Sequence, residues 1–278
     1  MKNKKTYKSI LTVVFSIISL IYVFPIVLVI INSFKKKTSI NLRPFALPDE
    51  KSFVGFENYI KGIEKVEFFK YFGYSLFITI ASVLVILLLC SMCGWYVTRV
   101  KNIFTNSLKS AAIFSMVVPF QLIMFTLAKT ADTLHLNNPV GIVIVYLGFG
   151  AGMAIFMFSN FAKSMPIEIE EAANIDGCNP LQMYFKVILP IMKPTFVSVG
   201  ILEIMWIWND YLLPYLVLDI KKYKTIPIVI QYLKGGFGSV DMGAIMACIV
   251  LAIVPVIIIY IIGQKYIIEG VAAGAVKG

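Results

Sequence analysis

The sequence predicts an all-α membrane protein with six transmembrane helices, and three observations carry that prediction. Apolar residues make up 59% of the 278 residues and charged residues only 14%, whereas soluble domains are roughly half apolar and about a quarter charged. Mean hydropathy is +0.85, which is more apolar surface than an interior of this size can hide from water. The apolar residues also gather into six stretches of about 20 residues, the length that crosses hydrocarbon at 1.5 Å per residue. A soluble enzyme, a secreted disulfide scaffold and a disordered regulator are excluded. The net charge of +10 does not point to nucleic acid. The cations occupy the gaps between apolar runs, where Lys and Arg meet headgroups of a lipid bilayer.

The first stretch, residues 10–31, follows the basic start Lys2, Lys4, Lys5 and Lys8. It is longer than a signal-peptide core and shows no small-x-small cleavage site before Lys35, so it reads as a retained span. The second, 72–97, contains ITIASVLVILLLCSMCGWYV. Cys90 and Cys93 form a C-x-x-C there among Leu87, Leu88, Leu89 and Met92. Without polar or basic neighbours they read as small buried hydrophobes, not as a metal or redox pair. The third stretch, 108–127, carries Pro119 at mid-depth. In the fourth, 140–161, Gly148 and Gly152 are four apart and make one helix face small enough for close packing. The fifth, 196–218, is interrupted by polar residues, and the sixth, 242–262, holds Pro255. Prolines inside spans are tolerated where neighbouring helices or waters satisfy the freed carbonyls. The lone His135 has no second metal ligand nearby and is expected in a loop. With the N-terminus inside, twelve of the 25 Lys and Arg fall in inner segments and thirteen in outer ones, so charge bias does not orient the chain.

The connector 164–194, SMPIEIEEAANIDGCNPLQMYFKVILPIMKP, has a helix–turn–helix pattern. Ser164 with Glu168 and Pro166 is expected to open the first helix. Glu168, Glu170 and Glu171 then lie near the positive end of its dipole. Gly177 suits the left-handed residue that ends a helix, and Pro180 suits the start of the next. Leu181, Tyr184, Phe185 and Ile188 fall at i, i+3, i+4 and i+7, one apolar stripe, before Pro190 and Pro194 close it. A basic polar face would mark a surface-lying linker. The first helix is instead acidic, which suits entry into a groove on a soluble partner better; from composition alone the two readings stand level.

Glu171-Ala172-Ala173, Ile175-Asp176-Gly177 and Leu189-Pro190 resemble the EAA loop of ABC importer permeases. Gln264-Lys265-Tyr266 with Gly270, the terminal AGAVKG (273–278), LHLNNPVGIVIVY (134–146) and Trp208-Asn209-Asp210 resemble the MalG-type subunit of the carbohydrate branch. The resemblance covers nearly the whole chain and is weakest over 35–70; Cys178 stands where the family commonly has a small Ala. It implies a permease for a sugar, an oligosaccharide, in the bacterial cytoplasmic membrane, with both termini and the elbow cytoplasmic. The implied partners are a second, MalF-type permease, a dimer of ATPase subunits and an extracellular solute-binding protein. The elbow would dock on the ATPase as a coupling helix between spans four and five. Glu171 would be the acidic docking residue and Ala172 and Ala173 the small contact surface; Asp176 and Gly177 would form the turn, with Leu181 grouped beside them. The segment from Ala273 to Gly278 would lie near the ATPase pair.

No G-x-x-x-x-G-K-[ST], H-E-x-x-H or nucleophile elbow occurs, and Lys234-Gly235-Gly236-Phe237-Gly238 lacks the strand–turn–helix context of a nucleotide loop. No catalytic residue and no cofactor is therefore expected in this chain, and ATP and Mg fall to the ATPase subunits. Glu203 and Asp210 in the fifth span are seven apart, on one helix face with Trp206 and Ile207. Ionisable groups at membrane depth tend to face a bundle interior or a wet cavity. They are candidates for the translocation pathway, as is Gln121 beside Pro119; the alternative is interhelical polar packing. The outer connector from Asp219 to Asp241 is either a contact for a binding protein or a plain flexible link. Rival readings are an ABC permease for another solute, such as polyamine or glycerol phosphate, and a secondary transporter. The latter would call for symmetric broken-helix halves, and no internal repeat is found. A six-span membrane enzyme would need an acid/base or metal cluster that the sequence does not show.

Overall fold

The computed structural model describes residues 2–233 and 240–275, with side chains for 7–233 and 240–265. Gly235, Gly236 and Gly238 and the last residues of the AGAVKG segment lie outside the described residues, as do the side chains of 273–275. Among the described residues four helices are long and apolar enough to cross a membrane: Tyr7–Ser33, Phe68–Arg99, Gly141–Ser164 and Met242–Lys265. Two bent helix pairs supply the remaining candidates.

The elements in order are α1 (Lys2–Ser33), α2 (Lys37–Leu42), α3 (Glu57–Lys65), α4 (Phe68–Arg99), α5 (Ile103–Val117), α6 (Phe120–Thr133) and α7 (Gly141–Ser164). There follow α8 (Glu168–Ile175), α9 (Pro180–Met183), a π turn over Tyr184–Ile188, α10 (Leu189–Ile191), α11 (Lys193–Asn209), α12 (Leu212–Val217), α13 (Ile226–Tyr232) and α14 (Met242–Ala275). The chain divides into two compact units, Met1–Phe69 with Val229–Pro255 and Lys70–Ile228 with Val256–Gly278.

In the first unit the chain folds back after α1. An isolated bridge pairs Lys35 with Phe53, and Asn58 Nδ2 donates to the carbonyls of Ser33 (2.8 Å) and Lys35 (2.9 Å). Gly62 of α3 lies so near Cys248 of α14 that a Cβ there would stand 2.9 Å from its Sγ. In the second unit the core forms around Ile86, Ile142, Tyr146, Phe158 and Tyr184, each fully buried.

Two expected spans are not continuous helices. The stretch 108–127 is divided between α5 and α6, which meet at 109°. Pro119 disfavours a helical residue before it, and Val118 is extended at φ −73°, ψ 114°. Each half is only about 22 Å long or less at 1.5 Å per residue, short of the ~30 Å hydrocarbon layer. The stretch 196–218 is likewise broken. Its helix starts earlier, at Lys193, after a 78° bend from the preceding segment, and stops at Asn209. Asp210 is extended (ψ 125°) and accepts hydrogen bonds from the N–H groups of Leu212 (3.0 Å) and Leu213 (3.3 Å), capping the next helix instead of continuing the last.

The small-residue face of the fourth span also differs from expectation. A Cβ on Gly152 would lie 2.7 Å from the Ala112 carbonyl oxygen of α5, whereas one on Gly148 would meet nothing within 4 Å. Close approach is served by Gly152; Gly148 instead lines an apolar groove of about 320 Å³ at the α5–α6 break, with Phe114, Val118, Ile123 and Phe149. His135 sits in the α6–α7 loop at φ 55°, and Cys90 lies in the core.

Candidate functional site

The connector 164–194 is a tight elbow built from local rules. Ser164 does not open it. Its Oγ donates to the Phe161 carbonyl (2.7 Å) in the last turn of α7, and α8 begins at Glu168, beyond Pro166. The end of α8 is a Schellman motif: Cys178 N–H donates to Ala173 O and Gly177 N–H to Asn174 O, both 3.0 Å. Gly177 holds φ +80°, a conformation that costs a side-chain-bearing residue about 1–2 kcal/mol. Asn179 and Gln182 form a reciprocal capping box (2.9 and 3.1 Å) around Pro180. These devices fix the angle between α8 and the second arm.

The elbow is gripped from inside by α4. Ser91, Trp95 and Arg99 are spaced four apart and so lie along one helix stripe. The hydroxyls of Ser91 and Tyr184 are 2.6 Å apart. Trp95 Nε1 donates to Glu170 Oε2 (3.1 Å), and the Trp95 ring lies 6.0 Å from that of Tyr184. Arg99 Nε donates to Glu170 Oε1 at 2.6 Å, and its Nη2 donates to the Met165 carbonyl at 3.0 Å. Glu170 and Arg99 are largely buried, with side chains 7% and 19% exposed. One stripe of α4 thus holds Glu170 of the first arm and Tyr184 of the second.

The opposite face of the elbow is exposed among the described residues. Glu171, Ala172, Asp176, Gly177 and Leu181 are exposed, and Ile175 is 87% exposed. Ala173 differs from its neighbour Ala172: it is buried in the core. The apolar stripe divides in the same way, with Tyr184 and Ile188 fully buried and Leu181 and Phe185 exposed. The Arg99–Glu170 pair escaped the sequence reading because its members are 71 residues apart; the four-residue spacing of Ser91, Trp95 and Arg99 was the available signal.

The two acids of the fifth apolar stretch do not form one site. Glu203 is fully buried, and neither carboxyl oxygen has a hydrogen-bond partner among the described residues. It faces Gly150 of α7, where a Cβ would stand 3.0 and 3.1 Å from its oxygens. Asp210 instead accepts a hydrogen bond from the Tyr146 hydroxyl (3.1 Å). Trp206 packs edge-on against the Tyr146 ring at 5.5 Å and is 39% exposed, while Ile207 is buried. Asp210, Trp206 and Tyr146 therefore form one group, in which Tyr146 is fully buried and Trp206 is exposed. Gln121 is exposed on α6, outside that group. Stacking, hydrogen bonding and shape are the chemistry these residues offer.

A family model described as binding-protein-dependent transport system inner membrane component matches residues 86–272. The chain is 34% identical over 278 residues, all of both chains, to "Probable starch degradation products transport system permease protein AmyC" of Thermoanaerobacterium thermosulfurigenes. It is also 34% identical to "Multiple sugar-binding transport system permease protein MsmG" of Streptococcus mutans, covering 98% of this chain and 96% of that one. Among solved structures, a chain of a bacterial ABC transporter "involved in the import of the acidic polysaccharide alginate" shares the fold. Its TM-score is 0.81 at 23% identity, over 96% of this chain and 98% of the other. The match over more than half of its length and the 34% identity to a relative over all of both chains place this chain in the family of inner membrane components of binding-protein-dependent transport systems.

Proposed function

We propose that this chain is one permease subunit of an ATP-driven ABC importer for a sugar, an oligosaccharide. It would pair with a second permease, two ATPase subunits that bind ATP and Mg, and an extracellular solute-binding protein. The elbow and both termini are cytoplasmic in this reading. ATP binding closes the ATPase pair, the elbow moves with it, and the helices switch between inward- and outward-open states. The sugar assignment is supported by the relatives, whose names specify sugars or starch products.

The observation that carries the coupling role is the two-faced elbow. Its inner face is fastened to α4 through Glu170 and Tyr184, and its outer face offers Glu171, Ala172, Ile175 and Leu181 to a groove. A helix presented in this way docks by inserting exposed anchors, and a fastened one passes rigid-body movement onward. Of the two acids, Asp210 with Trp206 is the pathway group, because Trp206 reaches the surface; Glu203 packs the interior.

Glu171→Lys tests the docking face. The exposed site tolerates the new side chain, so the subunit inserts in the membrane at normal levels. The ATPase subunits no longer co-purify with it, and ATP-coupled uptake is lost. Normal co-purification with normal uptake would remove the elbow from the ATPase contact.

A further inference from the structure

At the C-terminal end of α1, the chain invests two buried polar side chains in its own backbone. Lys35 is 1% exposed, and its Nζ donates to the carbonyls of Arg43 (2.6 Å) and Ala46 (3.0 Å). Asn32, 4% exposed, donates through Nδ2 to the carbonyl of Pro44 (2.9 Å). The N–H of Arg43 goes to Ser39 O (2.9 Å) and that of Ala46 to Arg43 O (3.2 Å), while Pro44 has no N–H. An irregular stretch thus has its carbonyls at 43, 44 and 46 capped from the end of a membrane helix. A loop in water needs no such caps, since water satisfies its carbonyls, and burying an ammonium is costly. In hydrocarbon the same caps are obligatory, because irregular backbone is tolerated there only when its polar groups are satisfied by protein.

The depth of the segment agrees. Phe45 stacks on Phe24 with ring centroids 6.4 Å apart and planes 4° from parallel. Phe24 lies nine residues before the Ser33 end of α1, about 13 Å back along the helix at 1.5 Å per residue. Leu42, Phe45 and Leu47 are 82, 71 and 73% exposed, while Lys36, Lys37 and Arg43 are exposed cations around them. Apolar tips flanked by long cations that reach back to headgroups are the pattern of an interfacial anchor.

We propose that residues 42–47 dip into the lipid leaflet at the C-terminal end of α1, with Leu42, Phe45 and Leu47 among the acyl chains and Lys36, Lys37 and Arg43 on lipid phosphates. Lys35 and Asn32 cap three carbonyls of the dipped backbone. This requires only that α1 crosses the bilayer and stands apart from the identity of the transported solute.

A nitroxide at Phe45→Cys, in a chain with its four native cysteines replaced, tests the proposal in the assembled transporter in phosphatidylethanolamine–phosphatidylglycerol vesicles. The label at 45 is expected to collide with oxygen several-fold more than with a water-soluble nickel chelate, and a label at Glu50→Cys to show the reverse. Adding Lys35→Met should move the label at 45 toward water. Nickel access at 45 equal to that at 50, or access to neither reagent, overturns lipid insertion; an unmoved label in Lys35→Met overturns the capping role. If the cysteine-free chain does not assemble, a diazirine amino acid at 45 in the otherwise unaltered chain decides the matter: lipid adducts support insertion, and adducts to protein alone overturn it.

Discussion

Glu203 of α11 and Asp210, just past its end, carry the same chemical group seven residues apart, and the structure puts them in opposite circumstances. Asp210 ends α11: one carboxyl oxygen caps the N–H groups of Leu212 and Leu213, and the other takes the Tyr146 hydroxyl. Glu203 and Ile86 together fill the space left by the missing side chain of Gly150. Their consequences on substitution should differ accordingly. Asp210→Asn keeps an acceptor for the backbone cap but replaces the other oxygen with a donor, so it should raise the half-saturation concentration for uptake with little loss of folded protein. Glu203→Gln should leave that concentration unchanged and show its effect in thermal stability, within about 3 kcal/mol. Uptake kinetics beside a melting curve check both, and identical behaviour of the two variants contradicts the assignment. The presence of two acids in the fifth span was plain from the sequence. Their separation was not, because it depends on which glycine of α7 stands opposite.

At the scale of elements, the elbow shows where local and distant information part. Gly177, Asn179 and Pro180 act on neighbours within four residues, so the turn and the second arm could be foreseen from residue types alone. The start of the first arm could not: Ser164 had a competing partner, the Phe161 carbonyl, and stayed with α7. The α4 stripe joins both arms of the elbow across gaps of 71 to 93 residues. Arg99→Met leaves Glu170 buried without its partner, and breaking such a pair costs about 3–5 kcal/mol. The prediction is a less stable subunit that still binds ATPase through the exposed face yet couples poorly. Arg99→Met with Glu170→Met removes both charges and should recover most of the stability without recovering coupled uptake. Thermal unfolding, ATPase co-purification and uptake, measured together, separate this outcome from the docking defect of Glu171→Lys. Full uptake in the double variant would show that the stripe only stabilises.

At the scale of the molecule, membership in the inner membrane component family makes this chain one part of a larger machine. Its own residues present contact surfaces, a few polar groups at depth and an elbow. Vesicles containing the assembled transporter should take up labelled oligosaccharide only when ATP is inside and the solute-binding protein outside; uptake persisting without the ATPase subunits would favour a secondary transporter. Not every cation of the connectors is free to act as a loop charge. Lys35 is committed to backbone carbonyls, so it does not act as a free loop charge, and a count of loop residues cannot detect that.

The amino-acid sequence by itself determined the membrane class, the approximate position of the apolar stretches and the turn of the elbow. Each of these rests on hydropathy summed along the chain or on hydrogen bonds between near neighbours. The tertiary structure decided that two expected spans are broken, with Asp210 serving as a cap in one of them. It also decided that Gly152 rather than Gly148 meets α5, that Glu170 belongs to Arg99, and that Lys35 is buried. The physical reason is register: which side chains meet across packed helices depends on the rotation and offset of each helix. Those are set by all the contacts of the folded chain together, not by any one stretch of it.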